Sequence, residues 1–156
     1  MGPLMTDNTS TDSVVTQQDQ QTLREAQELI GGLWSGRALY GAVEVGLIDA
    51  LTHEPQPIQE LVADLNLDPD ATYRLLRALS HYGVLSEDDQ RRFSVTPLGE
   101  LFQADHPHSM QPDLRVFHCP EWQDAMQYLP AIVADGDPNG FVRAFGCTIF
   151  EYMNDN

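Results

Sequence analysis

Lysine is absent from this chain: its eight basic residues are all arginine, set against 24 acidic ones, for a formal net charge of −16 over 156 residues. A surface so poor in cations has little with which to meet phosphates, so nucleic acid and anionic membranes are disfavoured as partners. Cysteine is nearly as scarce. Cys119 and Cys147 stand apart, without a Cys-x-x-Cys pair, which argues against a disulfide framework and fits small apolar side chains in a reducing compartment. No apolar run approaches the ~18 residues of a membrane span, and the first residues lack the basic and apolar parts of a secretory signal. A cytoplasmic location with no membrane partner is the expectation. Also missing are a glycine-rich loop after a strand and a Ser or Cys with an orienting base and acid. No catalytic residue, no cofactor-binding residue and no metal site is therefore assigned.

What is present suffices for one domain, or one domain with a tail: 42% of the residues are hydrophobic, enough for a core at this length. The acidic, lysine-free composition matches adaptation to high salt, where self-repulsion is screened and carboxylates keep the surface hydrated; an ordinary acidic protein is the other reading. Residues 1–15 are rich in Thr, Ser, Asp and Asn without apolar periodicity, which predicts a disordered tail. From Asp19 the pattern changes. Leu23, Ala26, Ile30, Leu33 and Trp34 fall on one helical face with Leu29 alongside, and Gly31-Gly32 is expected to bend that helix or end its first part.

The most strongly patterned stretch runs from Gly36 to Phe102. Ala38, Val43, Leu47, Ile48 and Leu51 keep helical spacing with Gly46 as a break, and Glu54-Pro55-Gln56-Pro57 reads as a turn before Ile58, Leu61, Val62 and Leu65. Asp68 stands where an N-cap belongs and Pro69 at the first helical position. The stripe Tyr73, Leu75, Leu76, Leu79 and Tyr82 then stops at Gly83. Val84-Leu85-Ser86 and Arg92-Phe93-Ser94-Val95 flank the polar turn Glu87-Asp88-Asp89-Gln90, and Thr96-Pro97 restarts a helix through Leu98, Leu101 and Phe102. Three helices and a hairpin in this order predict a mainly α fold with a winged-helix core. A winged helix raises DNA binding, yet Arg74, Arg77 and His81 are offset by Asp68 and Asp70, and Arg91 and Arg92 by Glu87, Asp88 and Asp89. No basic face emerges.

Beyond Gln103, Pro107 and Pro112 mark a loop before a short helix over Leu114 to His118. A long amphipathic helix follows through Trp122, Ala125, Met126, Leu129, Ile132 and Val133, bent at Pro130 and finished at Gly136. His106-x-His108 and His118-Cys119 offer metal donors at a spacing that matches no closed site, so solvated loop histidines are expected. Leu29, Leu33, Trp34, Ile132, Phe141, Phe145 and Phe150 are more apolar helical surface than so small a globule can hide. A partner that covers them, or helices folded back on the chain's own core, would both answer that surplus.

The words VGLIDAL, ELVADLNLDPDATYRLLRALSHYGVL and FSVTPLGELF, in this order and spacing, resemble the N-terminal domain of S-adenosylmethionine-dependent O-methyltransferases, plant caffeate and acetylserotonin enzymes and bacterial polyketide-tailoring enzymes among them. The likeness continues through the Trp-bearing helix to Phe-Glu-Tyr at 150–152 and covers roughly residues 20 to 154. It implies a domain over 16–103 and linker and C-terminal helices over 104–156, the N- and C-terminal helices serving dimerisation, with the Rossmann-like cofactor domain missing. It also implies a homodimer through Leu29, Leu33, Trp34, Ile132, Phe141 and Phe145. By the same motifs His118, Cys119, Trp122, Met126, Ile149, Phe150 and Met153 map onto the acceptor-substrate pocket. S-adenosylmethionine is then implied for a full-length enzyme and not for this chain, and the cofactor domain would be supplied in cis, the chain being shortened, or in trans. The alternative is a stand-alone winged-helix dimer that binds a small molecule or regulates transcription.

Overall fold

The computed structural model describes residues 16–155, leaving the expected tail over 1–15 outside the described residues. The chain divides into two units, 1–32 and 33–156. Helix α1 (Gln17–Glu44) begins in the first, where Leu23, Leu29 and Ile30 are all exposed. It keeps its helical hydrogen bonding through Gly31 and Gly32, so the expected end of the helix at that pair does not occur.

In the second unit the chain leaves α1 through Gly46, whose φ of 77° is the left-handed geometry that glycine adopts without penalty, and re-enters a single turn, α2 (Leu47–Ala50). α3 (Ile58–Leu65) ends on Asn66 in the same left-handed region. α4 (Pro69–His81) starts as its sequence predicts: the Asp68 carboxylate accepts from the Ala71 N–H at 2.7 Å and Pro69 sits where no N–H is needed. Gly83, at φ 74°, releases the chain into β2 (Leu85–Glu87). β3 (Arg92–Val95) returns antiparallel with Leu85 opposite Val95, and α5 (Pro97–Glu100) follows.

The sheet has a third strand that the sequence pattern does not reveal. Gln56-Pro57, read as part of a turn, forms β1 on the far side of β3, with Gln56 opposite Phe93. Two residues give no alternation to detect, and a proline is tolerated on such an edge because its missing N–H can face away from the ladder. The fold is mainly α with a small antiparallel sheet of order β1-β3-β2. Its core is Val43, Leu47, Ile48, Leu51, Leu76, Leu79 and Phe93, all fully buried.

Polar staples tie the next segment to this core. Gln103 Nε2 donates to the carbonyls of Ile48 and Leu51, at 3.0 and 2.8 Å. Buried Gln111 donates to the Asp49 carboxylate at 2.9 Å and to the Phe102 carbonyl at 2.8 Å, at the head of α6 (Gln111–His118). The single long helix expected from Trp122 to Val133 is two: α7 (Pro120–Met126) and α8 (Leu129–Asp135). Pro130 occupies the first turn of α8, where its lack of an N–H leaves no bond unmade, so the chain starts a new helix instead of bending an old one. α8 ends on Gly136 at φ 77°, as its position suggests, and α9 (Gly140–Phe145) and α10 (Ile149–Asp155) close the chain.

Candidate functional site

The C-terminal helices meet where a glycine permits it. A Cβ at Gly140 would lie 2.9 Å from the Ala125 carbonyl oxygen and 3.1 Å from Ile132 Cδ1, so α9 reaches α7 and α8 only because that atom is missing. Arg143 fixes the approach through Asp135 Oδ2, 2.7 Å away, and Asp137, 3.6 Å away. Hydrogen bonds from the Asp137 backbone and from Arg143 hold the Asp135 carboxyl below the usual carboxylate range.

Around this contact stands a chain of aromatic rings. Phe117 meets Trp122 edge-on at 6.3 Å, Trp122 meets Phe141 at 6.3 Å, and Phe141 packs on Phe145 at 4.7 Å and on Tyr152 at 5.5 Å. Offset and edge-on pairs of this kind add to plain burial and hold ring planes at fixed angles. The Tyr152 hydroxyl lies 3.5 Å from Glu121 Oε1, and burial, then the nearby Glu121 charge, raise its phenol above the ordinary range.

Two hollows flank the Phe141 ring. One, of about 410 Å³, is bounded by Trp122, Met126, Ile132, Phe141, Ile149 and Phe150. The other, of about 280 Å³, is bounded by Val116, Cys119, Phe141, Ile149 and Met153, with Tyr152 at its side. Six of the seven residues mapped onto a substrate pocket thus border one or the other. His118 does not: it borders a third hollow with Phe102, Met110, Asp113, Leu114 and Phe117. Gly140 and Thr148 line the first hollow unannounced by the sequence pattern, which marks apolar side chains at helical spacing and passes over a glycine or threonine at a close approach.

The residues assigned to a dimer interface separate into two groups. Leu29, Leu33 and Trp34 are exposed, at 86%, 54% and 71%. Ile132, Phe141 and Phe145 are half-buried among the chain's own side chains. His106 and His108 lie close, the His108 N–H donating to His106 Nδ1 at 3.1 Å, but among the described residues no group of three His, Cys, Asp or Glu is placed to hold a metal ion. Cys119 and Cys147 are free thiols, and no helix among the described residues is long and apolar enough to cross a membrane. The arrangement can grip a flat apolar molecule by contact.

The sequence profile of the O-methyltransferase dimerisation domain matches residues 27–105. Phenazine O-methyltransferase PhzM of Lysobacter antibioticus is 31% identical over 126 residues, covering 81% of this chain and 36% of that protein. The crystal structure of LaPhzM superposes with a TM-score of 0.77 at 29% identity, over 86% of this chain and 40% of that one. CalO1, a methyltransferase in calicheamicin biosynthesis solved in its SAH-bound form, superposes with a TM-score of 0.72 at 26% identity, over 88% of this chain and 40% of that one. The chain therefore spans well under half the length of the methyltransferases it matches. With the family's profile running from the exposed end of α1 through the sheet and α5, and the fold shared, the chain belongs to the O-methyltransferase dimerisation domain family.

Proposed function

We propose that this chain is the dimerising and substrate-lid part of an S-adenosylmethionine-dependent O-methyltransferase for a small aromatic hydroxyl acceptor, cytoplasmic and inactive by itself. The observation that carries the reading is the pair of hollows around Phe141, walled by aromatic, aliphatic and methionine side chains. The larger, at about 410 Å³, falls within the roughly 300–1,000 Å³ usual for small-molecule sites. Aromatic and thioether groups give a flat acceptor large contact area and adaptable shape. The relative that acts on phenazines is a methyltransferase of aromatic compounds, which supports the acceptor class.

In the complete enzyme a general base would take the acceptor proton while the sulfonium methyl is held in line, so positioning dominates. This chain's residues would contribute the positioning: Trp122, Met126, Phe141, Ile149, Phe150 and Met153 hold the acceptor face and exclude water. The cofactor supplies the methyl group when bound. Its pyrophosphate-free sulfonium nucleoside is held by a glycine-rich loop after a strand in doubly wound folds, and the described residues contain no such loop. The exposed Leu29, Leu33 and Trp34 would pack against a second copy.

The test has two arms on the chain as it stands. Calorimetry with S-adenosylmethionine is expected to give no saturable heat, and a micromolar isotherm would refute inactivity through want of a cofactor site. A hydroxyphenazine titration followed by NMR should shift signals of Trp122, Phe141 and Ile149; shifts elsewhere, or none, would remove the acceptor reading.

A further inference from the structure

Between α6 and α7 the chain turns on one residue. Cys119, at φ −64° and ψ 155°, closes α6 and opens α7, and Pro120 starts the new helix. Contacts on either side hold this elbow. Arg37 of α1 donates to the His118 carbonyl, and Gln123 Nε2 donates to the Phe117 carbonyl at 3.0 Å. The His118 imidazole lies directly on the backbone of Gly36: a Cβ built there would overlap ring atoms Cε1 and Nε2. A side chain at 36 and an imidazole in this seat exclude each other.

The seat suits a neutral ring. Nδ1 is buried without a hydrogen-bond partner, whereas an imidazolium carries an N–H on both nitrogens and needs an acceptor for each. Of the groups that face it, Arg37 on α1 is a cation. Asp113 on α6 borders the same hollow but is solvent-exposed, where its field is screened; the segment before α6 presents only Phe102 and Met110 there. Tyr40 on α1 is flanked by Glu44, Cys119, Arg37 and Glu121, and burial raises its phenol, so it stays neutral over the range in which histidine titrates.

We propose that His118 is a neutral latch: its imidazole, seated on Gly36 beside Arg37, fixes the α6–α7 elbow on α1, and protonation unseats it. Released, the elbow loses its hold on α7, which carries Trp122 into the aromatic cluster. Desolvation, then the Arg37 charge, keep the ring's pKa below the ordinary histidine range, so the seated form persists until the pH falls beneath about 6.5. The sign follows from proton counting. The unfolded chain takes up the proton first as pH falls, so the latch contributes its full stability above about 6.5 and loses it as pH drops toward the folded value. The inference does not depend on the acceptor reading, since it concerns only the seat of α6 and α7.

NMR of the histidine Cε1–H signals of the whole chain, at constant high salt, tests it directly. The His118 signal should titrate below about 6.5, and in Gly36→Ala, which fills the seat, it should move up into the ordinary range. In a Trp34→Phe background, Trp122 fluorescence should step at the His118 midpoint, and His118→Gln should abolish the step. A wild-type His118 midpoint at or above about 6.5 overturns the latch without any variant having to fold. So does a fluorescence step that survives in His118→Gln, or a His118 midpoint unmoved by Gly36→Ala.

Discussion

Phe93 has no solvent exposure at the centre of the sheet, with its ring edge-on to Tyr73 at 6.0 Å. Truncating such a side chain removes its transfer energy and leaves a hollow that rigid surroundings fill only in part. Phe93→Ala is therefore expected to cost about 3–5 kcal/mol, read from the midpoint of urea unfolding. Gly99 makes the opposite demand. A Cβ there would run into the Val84 carbonyl oxygen and crowd Val95, backbone and core that cannot swing aside. Gly99→Ala should destabilise although alanine favours helices, and a gain in stability would show that α5 can shift away from β3. At the turn between β2 and β3, hydrogen bonds from the Arg92 backbone and side chain hold the Asp88 carboxyl below its usual range, with Arg92 Nη2 2.7 Å away. Its contribution is present above about pH 3.9 and is lost as pH falls further, a small effect because both side chains of the pair stay partly open to solvent.

Among elements, α4 is the one whose ends its own residues fix most completely. Asp68 supplies the N-cap, Pro69 the first position and Gly83 the exit, and between them Leu76 and Leu79 enter the core. Asp68→Ala leaves the Ala71 N–H without its acceptor and should lower stability by about 1 kcal/mol, while Asp68→Asn should recover most of that loss. Thermal or urea melts of the two variants check the cap, since removal of the charge alone would affect both alike. The elements beyond α5 behave differently: α7, α8, α9 and α10 are each six or seven residues long, below the length at which isolated helices persist. Their order rests on the rings around Phe141, on Gly140 and on Arg143, so Phe141→Ala should loosen several of them together, visible as a loss of near-ultraviolet dichroism.

For the whole molecule, charge and exposed apolar surface decide behaviour in solution. A net charge of −16 with only eight cations opposes compaction when little salt is present. Melting temperature is expected to rise from low salt to molar potassium chloride, and a flat response would assign the chain to ordinary acidic proteins. Association is the second expectation. Leu29, Ile30, Leu33 and Trp34 leave a run of apolar side chains exposed on α1, and a two-fold pairing would cover it. Light scattering in high salt should give twice the 17.4 kDa chain mass. Replacing Leu33 and Trp34 together by Asp should give monomers or insoluble chain, whereas the same change at Arg91 and Arg92, where β3 begins, should leave association intact.

The sequence by itself determined the elements with local punctuation. α3 and α4, the β2–β3 pair and the exits at Gly46, Gly83 and Gly136 all follow from apolar spacing, an N-cap aspartate, prolines at helix starts and glycines at positive φ, which act within a few residues. It also marked most of the large side chains that border the hollows around Phe141, through motif likeness. Tertiary structure alone decided the rest. β1 exists only because β3 offers it an edge, and α9 reaches α7 and α8 only across the bare backbone of Gly140. Ile132, Phe141 and Phe145 look like surplus apolar surface until their rings and methyls find one another within the chain. His118 resembles a pocket residue in the sequence, and its ring is set on Gly36, far along the chain, where a missing Cβ leaves room for the imidazole. Local rules carry no information about which distant backbone lies bare.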